Sequence, residues 1–313
     1  MKPKTGLVRA GDTDLVQDLA ESLILTPAQE RLLNAAVDIR QEPATAEDAC
    51  YLHTVLCQVG MPRKRTDGLE FIRTNGGASL RLTAGKLFNG REWIQQQLPY
   101  GAKPRLILIN LTSAAVKTRS RVIDVGRSMR EFMERMGLDS QGSEYRSLRR
   151  QIAALAACRM QLGVRTGNQV INVDTQPVHR FDVWLTPNAE QQTLWPGTVE
   201  LSADYFDSAL RVAVPLDERV VVTLRGSALE LDIYSCFAQR LCRIRDRNGV
   251  HLPWKVLQAQ FGQEYNSLKN FRKKFLIALH HVVKAYPDAR VVERADGLRL
   301  YESRPPIPRM RLP

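Results

Sequence analysis

The sequence predicts an α+β protein, rich in helix with small antiparallel sheets, on three observations. Segments with apolar residues at helical spacing alternate with short β-favouring runs. Several of those runs flank glycine-containing turns and read as hairpins. One order of elements also occurs twice along the 313 residues, and at roughly 150 residues per domain the chain has room for two units.

The first occurrence opens with a helix over Leu106–Arg119, whose Ile107, Leu111, Ala114 and Ala115 share helical spacing. Val122–Val125 follows as a short strand ending at Gly126. Ser128 and Glu131 have capping-box spacing and start a helix bearing Met129, Phe132, Met133 and Met136, which stops at Gly137. Ser143–Cys158 is the next helix, again with a cap. Tyr145, Leu148, Ile152 and Leu155 fall on one face, and Arg146, Arg149 and Arg150 point elsewhere. Met160–Val164 and Val170–Val173 then form a hairpin through Thr166-Gly167-Asn168.

The second occurrence keeps the order. Leu229–Arg245 is a helix and Val250–Leu252 a short strand. Pro253 suits the first position of a helix that ends near Gly262. Asn266–Tyr286 is a long amphipathic helix, with an apolar stripe of Leu268, Phe271, Phe275, Leu279, Val282 and Tyr286. Ala289–Glu293 and Leu298–Tyr301 form a hairpin around Asp296-Gly297. Two echoes tie the units together. Tyr145-Arg-Ser-Leu148 resembles Tyr265-Asn-Ser-Leu268, and Leu148-Arg-Arg-Gln-Ile152 resembles Phe271-Arg-Lys-Lys-Phe275.

The remaining segments set the domain plan. Pro27–Arg40 and Ala46–Val59 read as helices, and Leu69–Arg73 and Ser79–Leu82 as a hairpin around Asn75-Gly76-Gly77. Arg63-Lys64-Arg65 is a basic cluster that reads first as a solvated loop and second as a phosphate contact. Residues 1–45 are an N-terminal extension, 46–186 the first domain, 187–198 a linker containing Pro187, Pro196 and Gly197, 199–307 the second domain and 308–313 a tail.

The formal net charge is +12, a field that favours polyanions. Arg119–Arg165 carries 10 basic and 5 acidic residues and Arg240–Tyr286 carries 10 and 2, so the excess lies in the two repeated units. Apolar runs such as Ile152–Cys158 are far shorter than the ~20 residues of a membrane span. Met1–Asp14 has no signal-peptide core, so a cytoplasmic protein without a membrane partner is expected. The five cysteines show no Cys-x-x-Cys spacing; all fall in segments read as helical and are expected as buried free thiols. No His/Cys grouping has metal-ligand spacing, and no cofactor is expected.

Helix, strand, helix, helix and two-stranded wing is the order of a winged helix-turn-helix, so the chain reads as two tandem winged-helix domains. In such a fold the second helix of the pair enters the major groove. The candidates for contact with double-stranded DNA are therefore Arg146, Arg149 and Arg150 in one unit and Lys269, Asn270, Arg272 and Lys273 in the other. Arginine matches guanine, and asparagine adenine, by bidentate hydrogen bonding. Lys274 and the wing residues Arg165, Arg294 and Arg299 suit phosphates, which add affinity without sequence information.

Enzymatic readings lack their motifs. His280-His281 are adjacent rather than alternating, so a rolling-circle nickase is excluded, and their expected role is packing. No His-x-x-Arg string supports a tyrosine recombinase, and no Gly-x-x-x-x-Gly-Lys-Ser/Thr loop supports ATP hydrolysis.

Leu98-Pro-Tyr-Gly101 with Pro104-Arg105, running into Leu111–Arg121 and Ile123–Gly137, resembles the first winged-helix domain of plasmid-encoded RepA-type replication initiators. Val214-Pro-Leu-Asp217, Leu231-Asp-Ile-Tyr234, Pro253-Trp254, Gln260-Phe-Gly262, Phe271-Arg272, Tyr286-Pro287 and Gly297-Leu298 extend the likeness to about residue 307. The resemblance implies binding to directly repeated origin sites, opening of an adjacent A/T-rich segment, and recruitment of the host initiator and replicative helicase. It also implies a possible homodimer that represses its own gene. A transcriptional repressor using the same surface is the alternative reading. A DNA-bridging protein would need an oligomerisation region, for which only residues 1–45 are available.

Overall fold

A computed structural model describes residues 27–180, 197–262 and 264–308. The first 26 residues, most of the expected linker and the end of the tail lie outside them. The architecture is α+β, with small antiparallel sheets. Among the described residues no helix is long and apolar enough to cross a membrane.

The first half begins with α1 (Pro27–Gln41), β1 (Ala49–His53), α2 (Thr54–Val59), the hairpin β2 (Glu70–Asn75) and β3 (Ala78–Thr83), and a smaller hairpin of β4 (Lys86–Phe88) and β5 (Trp93–Gln95). The repeated order then appears as α3 (Ala102–Thr118), β6 (Val122–Asp124), α4 (Met129–Arg135), α5 (Gly142–Ala157), β7 (Arg159–Thr166) and β8 (Gln169–Thr175). Ser128 caps α4 by accepting from the Glu131 amide at 3.1 Å, and Glu131 returns to the Arg127 amide at 2.8 Å. The cap expected on α5 does not form: Gln141 occupies the position without a side-chain hydrogen bond.

After β9 (Val178–Arg180), the chain is described again from β10 (Thr198–Leu201), α6 (Ala203–Val212), β11 (Ala213–Asp217) and α7 (Glu218–Leu224). The second occurrence follows: α8 (Ala228–Arg240) with a 3₁₀ turn at Leu241–Arg243, β12 (Val250–Pro253), α9 (Trp254–Phe261), α10 (Leu268–Ala285), β13 (Val291–Arg294) and β14 (Gly297–Leu300).

The two occurrences share element order but not strand pairing. In the second, β12 pairs with β14 and β14 with β13, closing one three-stranded sheet over the helices. In the first, β6 pairs with β10, which also pairs with β9, while the β7–β8 hairpin joins β2–β3 in a four-stranded sheet. Apolar matching accounts for that choice. Leu80 faces Leu162 and Leu82 faces Met160 across the β3–β7 ladder, and all four are buried. Tyr205 on α6 likewise packs into the first half, its hydroxyl 2.9 Å from Thr112 Oγ1.

Local expectations are corrected in four places. Ala46–Val59 is not one helix: Ala49–His53 is a strand because β11 supplies a ladder, with Cys50 opposite Leu216 and Leu52 opposite Val214. The C-terminal hairpin turns at Ala295-Asp296, since Arg294 pairs with Gly297. Gly297 serves close approach instead, because a Cβ there would lie 2.1 Å from the Leu252 carbonyl oxygen. Pro253 ends β12 and precedes α9 rather than occupying its first turn. Four thiols are buried, but Cys50 stands on a strand and Cys242 is half-buried.

Arg63 overturns the expectation of a solvated basic loop. Its guanidinium contacts Asp232, the Phe261 carbonyl oxygen and Glu264. Arg105 binds the same Asp232 in a fork, Nε to Oδ1 at 2.6 Å and Nη2 to Oδ2 at 2.9 Å, and donates to the carbonyls of Met61, Pro62 and Gly101. Arg73 donates to the Val59 carbonyl at 3.2 Å and lies 3.9 Å from Glu264. Burial lowers the Arg73 pKa to about 10, with the neighbouring charge of Arg63 acting in the same direction. Burial alone would raise the Glu264 carboxyl, but the charge and hydrogen bond of Arg63 outweigh it and hold Glu264 below its ordinary value.

His53 is a second buried polar point. Its Nδ1 accepts from the Val55 amide at 3.2 Å, which caps α2, and its Nε2 lies 2.9 Å from Ser208 Oγ. Burial lowers its pKa from 6.5 to about 4.

Two outcomes follow. Asp232→Ala leaves buried guanidiniums without their counter-charge and is expected to lower unfolding stability by about 3–5 kcal/mol in urea titration. The unfolded chain takes up a proton at His53 before the folded one does. The urea midpoint therefore falls as pH drops from 6.5 toward 4, a window in which His53→Gln flattens the decline.

Candidate nucleic-acid interface

Helix α5 turns one face to the core and the other to solvent. Leu148, Ile152 and Leu155 are buried, whereas Arg146, Arg149 and Arg150 are exposed. Tyr145, expected on the core face, is 37% exposed. Helix α10 repeats the division. Phe271, Phe275, Leu279 and Val282 are buried, Lys269, Asn270, Lys273 and Lys274 are exposed, and Ser267 caps the helix by accepting from the Asn270 amide at 3.2 Å.

The two sequence echoes require different alignments, and burial decides between them. Leu148 is fully buried but Leu268 is 36% exposed, so the tyrosine-based echo does not superpose equivalent sites. Leu148 and Ile152 instead correspond to Phe271 and Phe275, all buried. Arg149-Arg150 and Arg272-Lys273 thus each directly follow the first residue of a buried i, i+4 pair.

The candidates differ in what they already touch. Arg272 is half-buried. Its guanidinium lies over the Trp254 ring at 4.8 Å and donates to Glu293 on β13 at 3.1 Å, so it links α10 to α9 and to the hairpin. Arg149 and Arg150 line a cleft of about 400 Å³ with Arg65, Gln95, Gln96 and Gln97. Arg294 and Arg299 line a second cleft, of about 690 Å³, with Arg247, Asn248, His251 and Asp296. Within it Arg299 donates to the Asn248 carbonyl oxygen at 2.8 Å, and His251 Nε2 is 3.2 Å from Asp296. Arg165 is exposed on β7 beside the β2–β3 turn, its amide bonded to the Gly77 carbonyl, and lines neither cleft.

Sequence reasoning missed Gln95–Gln97 and Arg247 as companions of the candidate residues, and ranked a phosphate contact for the run containing Arg65 behind a solvated loop. The signals were present as the Arg63-Lys64-Arg65 run and the alternating Arg243, Arg245 and Arg247. Nothing local distinguishes the buried Arg63 from the exposed Arg65. Of the histidine pair, His280 is exposed and His281 Nδ1 is 2.8 Å from Glu230. Burial raises the Glu230 carboxyl, against the opposing pull of His281.

Residues 98–255 match the family described as plasmid encoded RepA protein. That stretch is half of the chain, and the chain belongs to this family. Two solved structures of domains 2 and 3 of RctB are similar to it. One has 14% identity and a TM-score of 0.47, covering 77% of this chain and 88% of its own. The other has 12% identity and a TM-score of 0.46, covering 78% and 94%. No curated protein matches the chain.

The contacts of Arg272 separate two kinds of cation. Arg272→Ala removes a cation–π contact and an ion pair, and is expected to cost about 1 kcal/mol of stability in thermal unfolding. Lys273→Ala, at an exposed position, leaves the unfolding stability within about 0.5 kcal/mol of the parent.

Proposed function

We propose that the chain is an origin-binding initiator of plasmid replication, gripping double-stranded DNA with two winged helices and acting by binding rather than catalysis. The observation that carries this reading is the pair of exposed cationic faces on α5 and α10, at equivalent places in a twice-used order of elements. Membership of the plasmid RepA family supports the origin as the target.

In this reading α5 and α10 each lie in a major groove, which admits a helix and exposes a distinct pattern for every base pair. Arg146, Arg149, Arg150, Lys269, Asn270 and Lys273 face base edges and nearby phosphates. Arg272 fixes the angle of α10 through Trp254 and Glu293, and contributes charge from that position. Lys274, Arg294, Arg299 and Arg247 bind phosphate oxygens on the flank, and Arg165 meets the backbone from the other hairpin. Two helices on one chain raise each other's effective concentration, so a long site is read from two modest contacts. Directly repeated sites suit such a chain, and the plasmid places its work in the bacterial cytoplasm. Recruitment of host replication proteins and a repressing homodimer belong to the same reading through the family resemblance.

Gel-shift titration against duplexes from the DNA adjoining the gene, at several salt concentrations, tests it. Arg150→Ala and Lys273→Ala are each expected to weaken binding and to flatten the slope of log affinity against log salt by about one unit where a phosphate contact is lost. Unchanged affinity and slope in both variants would remove α5 and α10 from the interface.

A further inference from the structure

The β4–β5 hairpin leaves a pair of aromatic rings in solvent that the core does not use. Phe88 is 51% and Trp93 66% exposed, and their ring centroids are 5.6 Å apart. They pair directly across the ladder, next to the Asn89–Glu92 turn. Residues two apart on a strand share a face, so Lys86 and Gln95 extend the face that carries both rings. Gln95 and the two residues after it line the cleft with Arg65, Arg149 and Arg150. An aromatic ribbon face therefore runs into the cationic face of α5.

The root of the ribbon is held in place. A Cβ on Gly85 would fall 2.2 Å from the Ala157 carbonyl oxygen, so only glycine lets the hairpin pass against the end of α5. The Gln96 amide donates to the Gly85 carbonyl at 2.9 Å, and the Gln95 side-chain amide donates to the same carbonyl at 2.9 Å. Toward the tip, in contrast, Phe88, Arg91, Glu92 and Trp93 are exposed, while Asn89 Oδ1 closes the turn by accepting from the Arg91 and Glu92 amides.

We infer that Phe88 and Trp93 form a wedge that enters duplex DNA beside the segment held by α5 and partly unstacks a base step. The inference rests on the reading that α5 meets DNA. A single-sign cationic cleft draws the phosphate backbone to the root of the ribbon. A stiff duplex lying there continues past the tip, where exposed rings meet bases rather than phosphates. Apolar side chains inserted between base steps unstack them and kink the duplex. The charged cleft thus supplies affinity, and the aromatic tip supplies deformation.

The test uses the full chain and a duplex that the wild-type protein shifts, carrying 2-aminopurine at successive positions flanking the site. Binding should raise 2-aminopurine fluorescence at one flanking step. The Phe88→Ala/Trp93→Ala double variant should abolish that rise and weaken binding roughly tenfold with the salt slope unchanged, as expected for lost base contacts. Trp93→Phe should retain the signal, and far-UV circular dichroism checks that each variant is folded. Arg149→Ala/Arg150→Ala should instead flatten the salt slope. Wild-type binding without any fluorescence rise, or a rise that survives in the folded double variant, overturns the wedge while leaving α5 as the DNA contact. A signal obtained only with single-stranded DNA also overturns it. Absence of any duplex shift by the wild-type protein defeats the wedge together with the DNA-binding reading beneath it.

Discussion

The fork between Arg105 and Asp232 joins parts of the chain 127 residues apart. One partner stands on α3 and the other on α8, the opening helices of the two repeated orders. Charges this deeply buried have lost their hydration, and they are tolerated only when every donor and acceptor finds a partner. Arg105 meets that demand with Asp232 and three backbone carbonyls, and Arg63 and Arg73 extend the cluster to Glu264. Carbonyls of residues 59, 61, 62 and 101 are thereby fixed against α8 and the α9–α10 connection. The strand pair β1–β11 and the continuous apolar core then hold the two halves as neighbours.

That scaffold explains how α5 and α10 can be strongly cationic without loss of core. Each helix commits leucine, isoleucine or phenylalanine to the interior and leaves its basic residues on the opposite side. The aromatic cluster of Trp254, Phe261, Phe271 and Phe275, with ring centroids 5.2–6.2 Å apart, anchors α9 on α10. Arg272 extends this packing to the surface, where one side chain serves both orientation and charge. The hairpin of the first unit is stiffened by membership of a four-stranded sheet, whereas the second hairpin is braced by β12.

Much of the local structure was legible because it obeys short-range rules. The apolar spacing of α3, α5, α8 and α10, the Ser128–Glu131 cap and the Gly76-Gly77 and Gly167-Asn168 turns involve neighbours within a few residues. The candidate interface was legible for the same reason: buried residues at helical spacing imply which cations must face away. The errors occur where distant partners decide. Ala49–His53 becomes a strand only because residues 213–217 arrive beside it, and Gly297 is required by Leu252 rather than by its own turn.

By itself, the sequence determined the α+β class, the doubled order of elements, the concentration of positive charge in two blocks and the cationic faces of α5 and α10. Only the tertiary structure decided that β7 pairs with β3 instead of β6, that Arg63 is buried while Arg65 is exposed, and that Arg65 and Gln95–Gln97 stand beside Arg149 and Arg150. The physical reason is range. Helical faces and turns are set by interactions over three or four residues, whereas strand partners, buried ion pairs and clefts are set by groups that meet only after the chain has closed on itself.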